Sequence, residues 1–251
     1  MKTTRRWLCI ALALTVTGSL TAPAQTRVQG FESGDPAVTS IGDAGKQGTY
    51  QGQAAPEGTM QFLLTTIGMM SNEDSLGSQS GAFAVGNAAL QTFLNGLPLG
   101  GFEGSAVLIP FTVTAQDTTL TFQYDFVSNE PFQSMPRPDF AFTAIFDAAN
   151  GLALSPDTFA SVGTSNMVPF NPDQSPFQFH TGLQTLALPL SSLAPGSYTL
   201  AIGVEDSGTA DHASGVLVDN VQVLVPEPSV FALSIAGAAL LAAVRRRIKG
   251  A

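Results

Sequence analysis

The stretch "VLVDNVQVLV" reads as a strand, and unbroken alternation puts Leu217, Asp219, Val221, Val223 and Val225 on one face. That leaves a carboxylate in an apolar row. Burying it unpaired is costly, so it must be hydrogen-bonded, protonated or bound to a cation. Two arrangements answer this: backbone N–H groups capping Asp219 at the strand's edge, or calcium, a hard cation that takes about six to eight oxygen ligands. A second group, Glu205, Asp206, Asp211 and His212, lies in "EDSGTADHAS". Adjacent carboxylates and an Asp-His pair could hold a metal or act as acid and base. On an acidic chain the same stretch also reads as a solvated loop. Glu130, Arg137 and Asp139 fall in "SNEPFQSMPRPDF", which reads as a binding loop or as a surface ion pair.

Other chemistries lack their residues. No H-E-x-x-H, EF-hand spacing, paired cysteines or G-x-S-x-G elbow is present. The single Cys and the single Trp are Cys9 and Trp7, close to the N-terminus, so the body of the chain has no thiol nucleophile and no disulfide. Its histidines are His180 and His212. Two carboxylates suffice for a glycosidase, but eighteen acids between Gln25 and Pro226 give no reason to choose a pair. Over that stretch only Arg27, Lys46 and Arg137 are basic, which leaves about -15. Nucleic acid and anionic lipid need a basic face and are excluded as partners. Divalent cations and basic partners remain, and so does acidity for solubility alone.

The elements that must position these groups are strands. In "TTLTFQYDFVSN", Leu120, Phe122, Tyr124 and Phe126 share one face, and Thr121, Gln123 and Asp125 the other. Phe140, Phe142, Ala144 and Phe146 alternate in the same way, followed by an Asn150-Gly151 turn signal. Tyr198, Leu200, Ile202 and Val204 alternate again, and "EDSGTADHAS" then predicts a closing hairpin to the last strand. Leu90, Phe93, Leu94 and Leu97 have helical spacing, with Asn87 as cap and Gly96 as stop. The expectation is an all-β, antiparallel, jelly-roll-like β-sandwich with one short helix. Jelly-roll carbohydrate modules hold a structural ion between their first and last strands; by that likeness Glu32 or Asp35 of "GFESGD" would join Asp219 around calcium. Sugar-binding faces commonly stack on Trp or Tyr, whereas here Trp is missing from the body and Tyr124 and Tyr198 point inward by pattern. Calcium-dependent lectins manage without stacking.

Both ends carry targeting signals. Lys2, Arg5 and Arg6 precede the apolar "WLCIALALTVTGSL", and Ala22-Pro23-Ala24 forms an A-x-A site, so signal peptidase would leave Gln25 first. At the other end stand Pro226, Glu227 and Pro228, an uncharged run from Val230 to Val244, then Arg245, Arg246, Arg247 and Lys249. The run is about a turn short of a full membrane span, and its basic flank belongs on the cytoplasmic side. This order resembles the PEP-CTERM sorting signal of Gram-negative bacteria. The resemblance implies processing by an exosortase, an inner-membrane intermediate, and delivery to the cell surface or an exopolysaccharide matrix. The stretches "GFESGDP", "FQYDFVSNE", "PDFAF" and "GVEDSGTADHASGVLVDNV" also resemble the bodies of other PEP-tailed proteins, which implies a β-sandwich without an assigned reaction. The expected organisation is a signal peptide over 1–24, a sandwich over 25–225 and a sorting signal over 226–251. The expected role is structural or adhesive and not enzymatic. A calcium-dependent glycan-binding module is the alternative, and a polysaccharide-acting hydrolase is the third reading. Mass spectrometry of the surface form should find an N-terminus at or near Gln25 and a C-terminus near Pro226-Glu227-Pro228. An intact arginine tail on that form would refute exosortase processing.

Overall fold

The computed structural model describes residues 24–66, 103–130, 138–149, 151–170, 177–207 and 212–225. The signal peptide, the 87–97 helix, Asp211 and the sorting tail lie outside the described residues. No helix among those residues is long and apolar enough to cross a membrane.

Among the described residues thirteen strands form two antiparallel sheets. The first contains β3 (Asp43–Gln47), β4 (Gln61–Thr65), β13 (Ser214–Val225), β6 (Thr119–Ser128), β10 (Phe179–His180) and β9 (Val168–Pro169) in that order. To it β1 (Ala24–Gln29) adds on β13 and β11 (Gln184–Pro189) on β6. The second has the order β2 (Thr39–Ile41), β5 (Glu103–Val113), β12 (Gly196–Asp206), β7 (Phe140–Asp147), β8 (Leu152–Ser161). The sheets bury their facing rows against each other. Leu120, Phe122 and Phe126 of β6 meet Leu200, Ile202 and Val204 of β12 in one cluster, as their alternation requires.

Three expectations are corrected. β12 and β13 do not form a hairpin: β12 pairs with β5 and β7, β13 with β1, β4 and β6, so the chain between them changes sheets. Phe140, Phe142, Ala144 and Phe146 do share a face, but it is the outer face of the second sheet, where they are buried with Ile41, Ala106, Leu108 and Ala201. Their neighbours Ala141 and Ile145 enter the sandwich core instead. A strand buried on both sides carries no polar row to mark its inner face.

The third correction concerns β13. Its pairing with β6 shifts between Asp219 and Gln222, and Asn220 adopts φ 53°. This bulge switches parity. Val216 and Val218 before it and Val221 and Val223 after it all reach the core, whereas Leu217 packs on the outer face with Leu63 and Val127. Asp219 therefore leaves the valine row. Asn tolerates this left-handed backbone and β-branched residues do not. Asn220→Val should cost about 1–3 kcal/mol in chemical denaturation, while Asn220→Gly should cost distinctly less.

Candidate functional site

On the outer face of the first sheet, three neighbouring strands each contribute a polar side chain. The register sets Asp219 of β13 opposite Gln123 of β6, and Leu217 opposite Asp125. Leu217 also pairs with Leu63 of β4, so Gln61, two residues before Leu63, falls beside Asp219. These groups line a groove of about 290 Å3. Leu217, Ala54 and Pro56 supply apolar surface within it, and Leu183, half exposed, adds more.

One end of the groove is fixed around Asp125, which is 1% exposed. Gln53 Nε2 donates to its Oδ2 at 2.5 Å, His180 Nδ1 lies 2.9 Å from the same oxygen, and Thr181 Oγ1 donates to Oδ1 at 3.1 Å. The imidazole stacks on Phe170 with centroids 3.9 Å apart. In the middle, Gln123 Oε1 accepts the Asn220 side-chain amide at 2.8 Å, which leaves the Gln123 NH2 group outside this bond. Gln61 donates to the carbonyls of Gly48 and Gln53 at 2.9 and 3.3 Å, tying the loop of residues 48–60 to the sheet. Tyr124 and Tyr198 are partly buried and pack against the core.

Asp219 accepts Glu57 N–H on Oδ2 and Asn220 N–H on Oδ1, each at 2.7 Å. This is the backbone-capped arrangement. Burial, with Glu57 and Glu32 nearby, pushes its carboxyl up to about 6 against those two bonds. Glu32 and Asp35 are occupied as well. Glu32 accepts Thr59 N–H, Met60 N–H and Thr59 Oγ1–H, which hold its carboxyl below the usual value. Asp35 Oδ2 accepts Gly30 N–H, Glu32 N–H and the Arg27 guanidinium at 2.9, 3.0 and 2.6 Å. Burial would raise the Asp35 carboxyl, but these bonds and the Arg27 charge outweigh it, and the net shift is downward. Arg27 also reaches Glu57 at 3.1 Å. Glu32, Asp35 and Asp219 thus belong to one network, with Arg27 among its cations. Among the described residues no three carboxylate or histidine groups converge to hold a metal. Each of these three carboxyl groups already accepts N–H or O–H donors from the protein.

Of the second acidic group, Glu205 and Asp206 end β12 and are buried, not solvated, and Glu130 and Asp139 are buried as well. Arg137 and Asp211 lie outside the described residues. Asp139 N–H donates to Glu130 Oε2 at 3.0 Å, and Ser207 N–H to Asp139 Oδ1 at 3.2 Å. Burial first, then the Asp206 and Glu130 charges, push the Asp139 carboxyl up to about 8. Burial also raises Glu130, partly offset by the Asp139 N–H and by His212. The run from "SNE" to "PDF" held the signal for this cluster; what alternation could not show was that the ends of β6, β7 and β12 meet there.

A folded-state value above the unfolded one means that the protonated carboxyl favours the fold. The Asp139 contribution is complete below the ordinary aspartate value of 3.8 and is lost as pH rises through about 8. Asp219 acts with the same sign, but its loss ends near 6. The melting temperature should therefore fall between about pH 6 and pH 8.5, and Asp139→Asn should flatten the curve in that window. A wild-type curve that rises there would refute the assignment.

No protein-family model and no curated protein sequence matches the chain. Similar solved structures include TmCBM61 in complex with beta-1,4-galactotriose, at 7% identity over 80% of this chain and 99% of that one, with a TM-score of 0.41. CBM27-1 of Caldicellulosiruptor saccharolyticus in complex with mannohexaose has 10% identity over 81% and 98%, with a TM-score of 0.42. The K1 cleaved adhesin domain of Lys-gingipain from Porphyromonas gingivalis W83 has 10% identity over 82% and 99%, with a TM-score of 0.38.

Proposed function

We propose that this chain is an exported glycan-binding module and that the outer-face groove is its binding surface. The observation that carries the reading is the composition of that groove. Sugars present hydroxyl groups that both donate and accept, beside C–H faces that are apolar. The groove presents the Gln123 amide and the His180 ring, with the buried Asp125 and Asp219 carboxyl groups behind them, beside the exposed Leu183. Its polar groups are held by other side chains and by backbone, which lowers the ordering cost on binding. Export is supported by the A-x-A site at Ala22 and Ala24 and by the PEP-like tail, whose handling by signal peptidase and exosortase belongs to the same proposal. A module that binds matrix polysaccharide at the surface is adhesive by that act, which joins the two leading readings. On this reading the ligand contacts the groove directly, because Asp219, Glu32 and Asp35 already accept N–H donors.

A glycan array followed by calorimetry on the full-length protein tests this. Binding should be the same in EDTA and in calcium. Gln123→Ala should weaken it about tenfold, the effect of removing one polar group and leaving its partner unpaired, without lowering the melting temperature comparably. Loss of binding in EDTA would favour the calcium-dependent reading. Full binding by Gln123→Ala would place the site elsewhere.

A further inference from the structure

The two carboxylates of the groove have different surroundings. Asp125 and Asp219 are diagonal neighbours across β6 and β13, about 7–8 Å apart along the sheet, so one sugar ring can lie over both. Asp125 already has an imidazole and a side-chain amide on Oδ2 and a hydroxyl on Oδ1. Among the described residues Asp219 has two backbone N–H groups only, although a carboxylate has about four acceptor sites. The groups around Asp219 come from four places. Gln61 and Gln123 flank it from β4 and β6, Asn220 follows it in β13, and Glu57 and Glu32 approach from the loops. The two charged ones are like charges. Two described cations reach this network: Arg27 is engaged by Glu57 and Asp35, and the Lys46 ammonium donates to the Glu32 carbonyl at 3.1 Å. No Lys or Arg is among the described residues that line the groove.

We propose that the groove selects glycans bearing a free amine, in which a hexosamine nitrogen is unacylated and cationic, and that Asp219 in the groove wall is the group that favours the ammonium. This rests on the glycan reading above and adds to it the class of sugar. Asp219 is 1% exposed, so it acts as a fixed charge beneath the ligand, in a concave, partly apolar site where its field is focused. The ammonium brings into the groove a positive charge that no described Lys or Arg in its lining supplies. The wider charge points the same way: about -15 between Gln25 and Pro226 attracts a polycationic chain and repels uronate or sulfated polysaccharide.

The test compares four oligosaccharides of equal length on the full-length protein: a β-1,4-glucosamine oligomer, its N-acetylated counterpart, a neutral glucan and an oligouronate. At about pH 7 and about 0.15 M salt, the amine oligomer should bind about tenfold tighter than the N-acetylated one. Asp219→Asn, which removes the charge but sets an NH2 against one of the two backbone N–H groups, should bring the ratio of amine to N-acetyl affinity, read within the variant, to about one. Should that variant fold poorly, the wild type decides alone. Lowering the pH to about 5 protonates Asp219 and leaves the amine cationic, so the preference should shrink. Equal binding of amine and N-acetylated oligomers overturns the proposal and leaves the glycan reading standing. A preference that survives both Asp219→Asn and acid also overturns it, since it reports general attraction to an acidic surface. Failure of all four to bind overturns both readings.

Discussion

The bulge at Asn220 is the constraint on which the remaining arrangement depends. β13 is paired along its length, to β4 and then β1 on one side and to β6 on the other. With strict alternation it could serve one core row only. The shift after Asp219 lets four valines face the sandwich on either side of the break and turns Asp219 and Asn220 outward together. Asn220 then orients Gln123, and Asp219 takes the Glu57 N–H and so fixes the loop that brings Gln53 over Asp125. One left-handed residue thereby aligns the core, the loop and the groove.

Scarcity of cations imposes the second theme. Three basic side chains cannot neutralise eighteen acids, and the described carboxylates are stabilised by other means. Asp35 shares Arg27 with backbone N–H groups, Glu32 uses backbone and hydroxyl donors alone, and Asp139 holds a proton well above the usual carboxylate range. Backbone donors are as important here as ion pairs, because desolvation penalises an unmatched charge more than it penalises a proton.

Much of this was legible in the sequence. The alternation in β6 named its core row and, on the opposite face, Gln123 and Asp125, which line the groove. β12 was equally clear. The failures have specific causes. Parity cannot be read through a bulge, so Asp219 reads as a member of the valine row. A connection rich in Gly and Asp looks the same whether it closes a hairpin or crosses between sheets, so β12 and β13 read as adjacent. Gln53, Gln61 and His180 come from separate segments that only the fold assembles, and no spacing links them.

The pairing of the first and last strands has a mechanical meaning. Ala24 lies opposite Val225, so the domain's chain enters and leaves side by side. A pull between the proposed ligand over Asp219 and the chain leaving at Val225 would run along β13 itself. Antiparallel hydrogen bonds lie perpendicular to that direction, so β1 and β6 resist it in shear, with many bonds sharing the force at once. The strand that carries the groove's central carboxylate is also the strand best placed to bear tension.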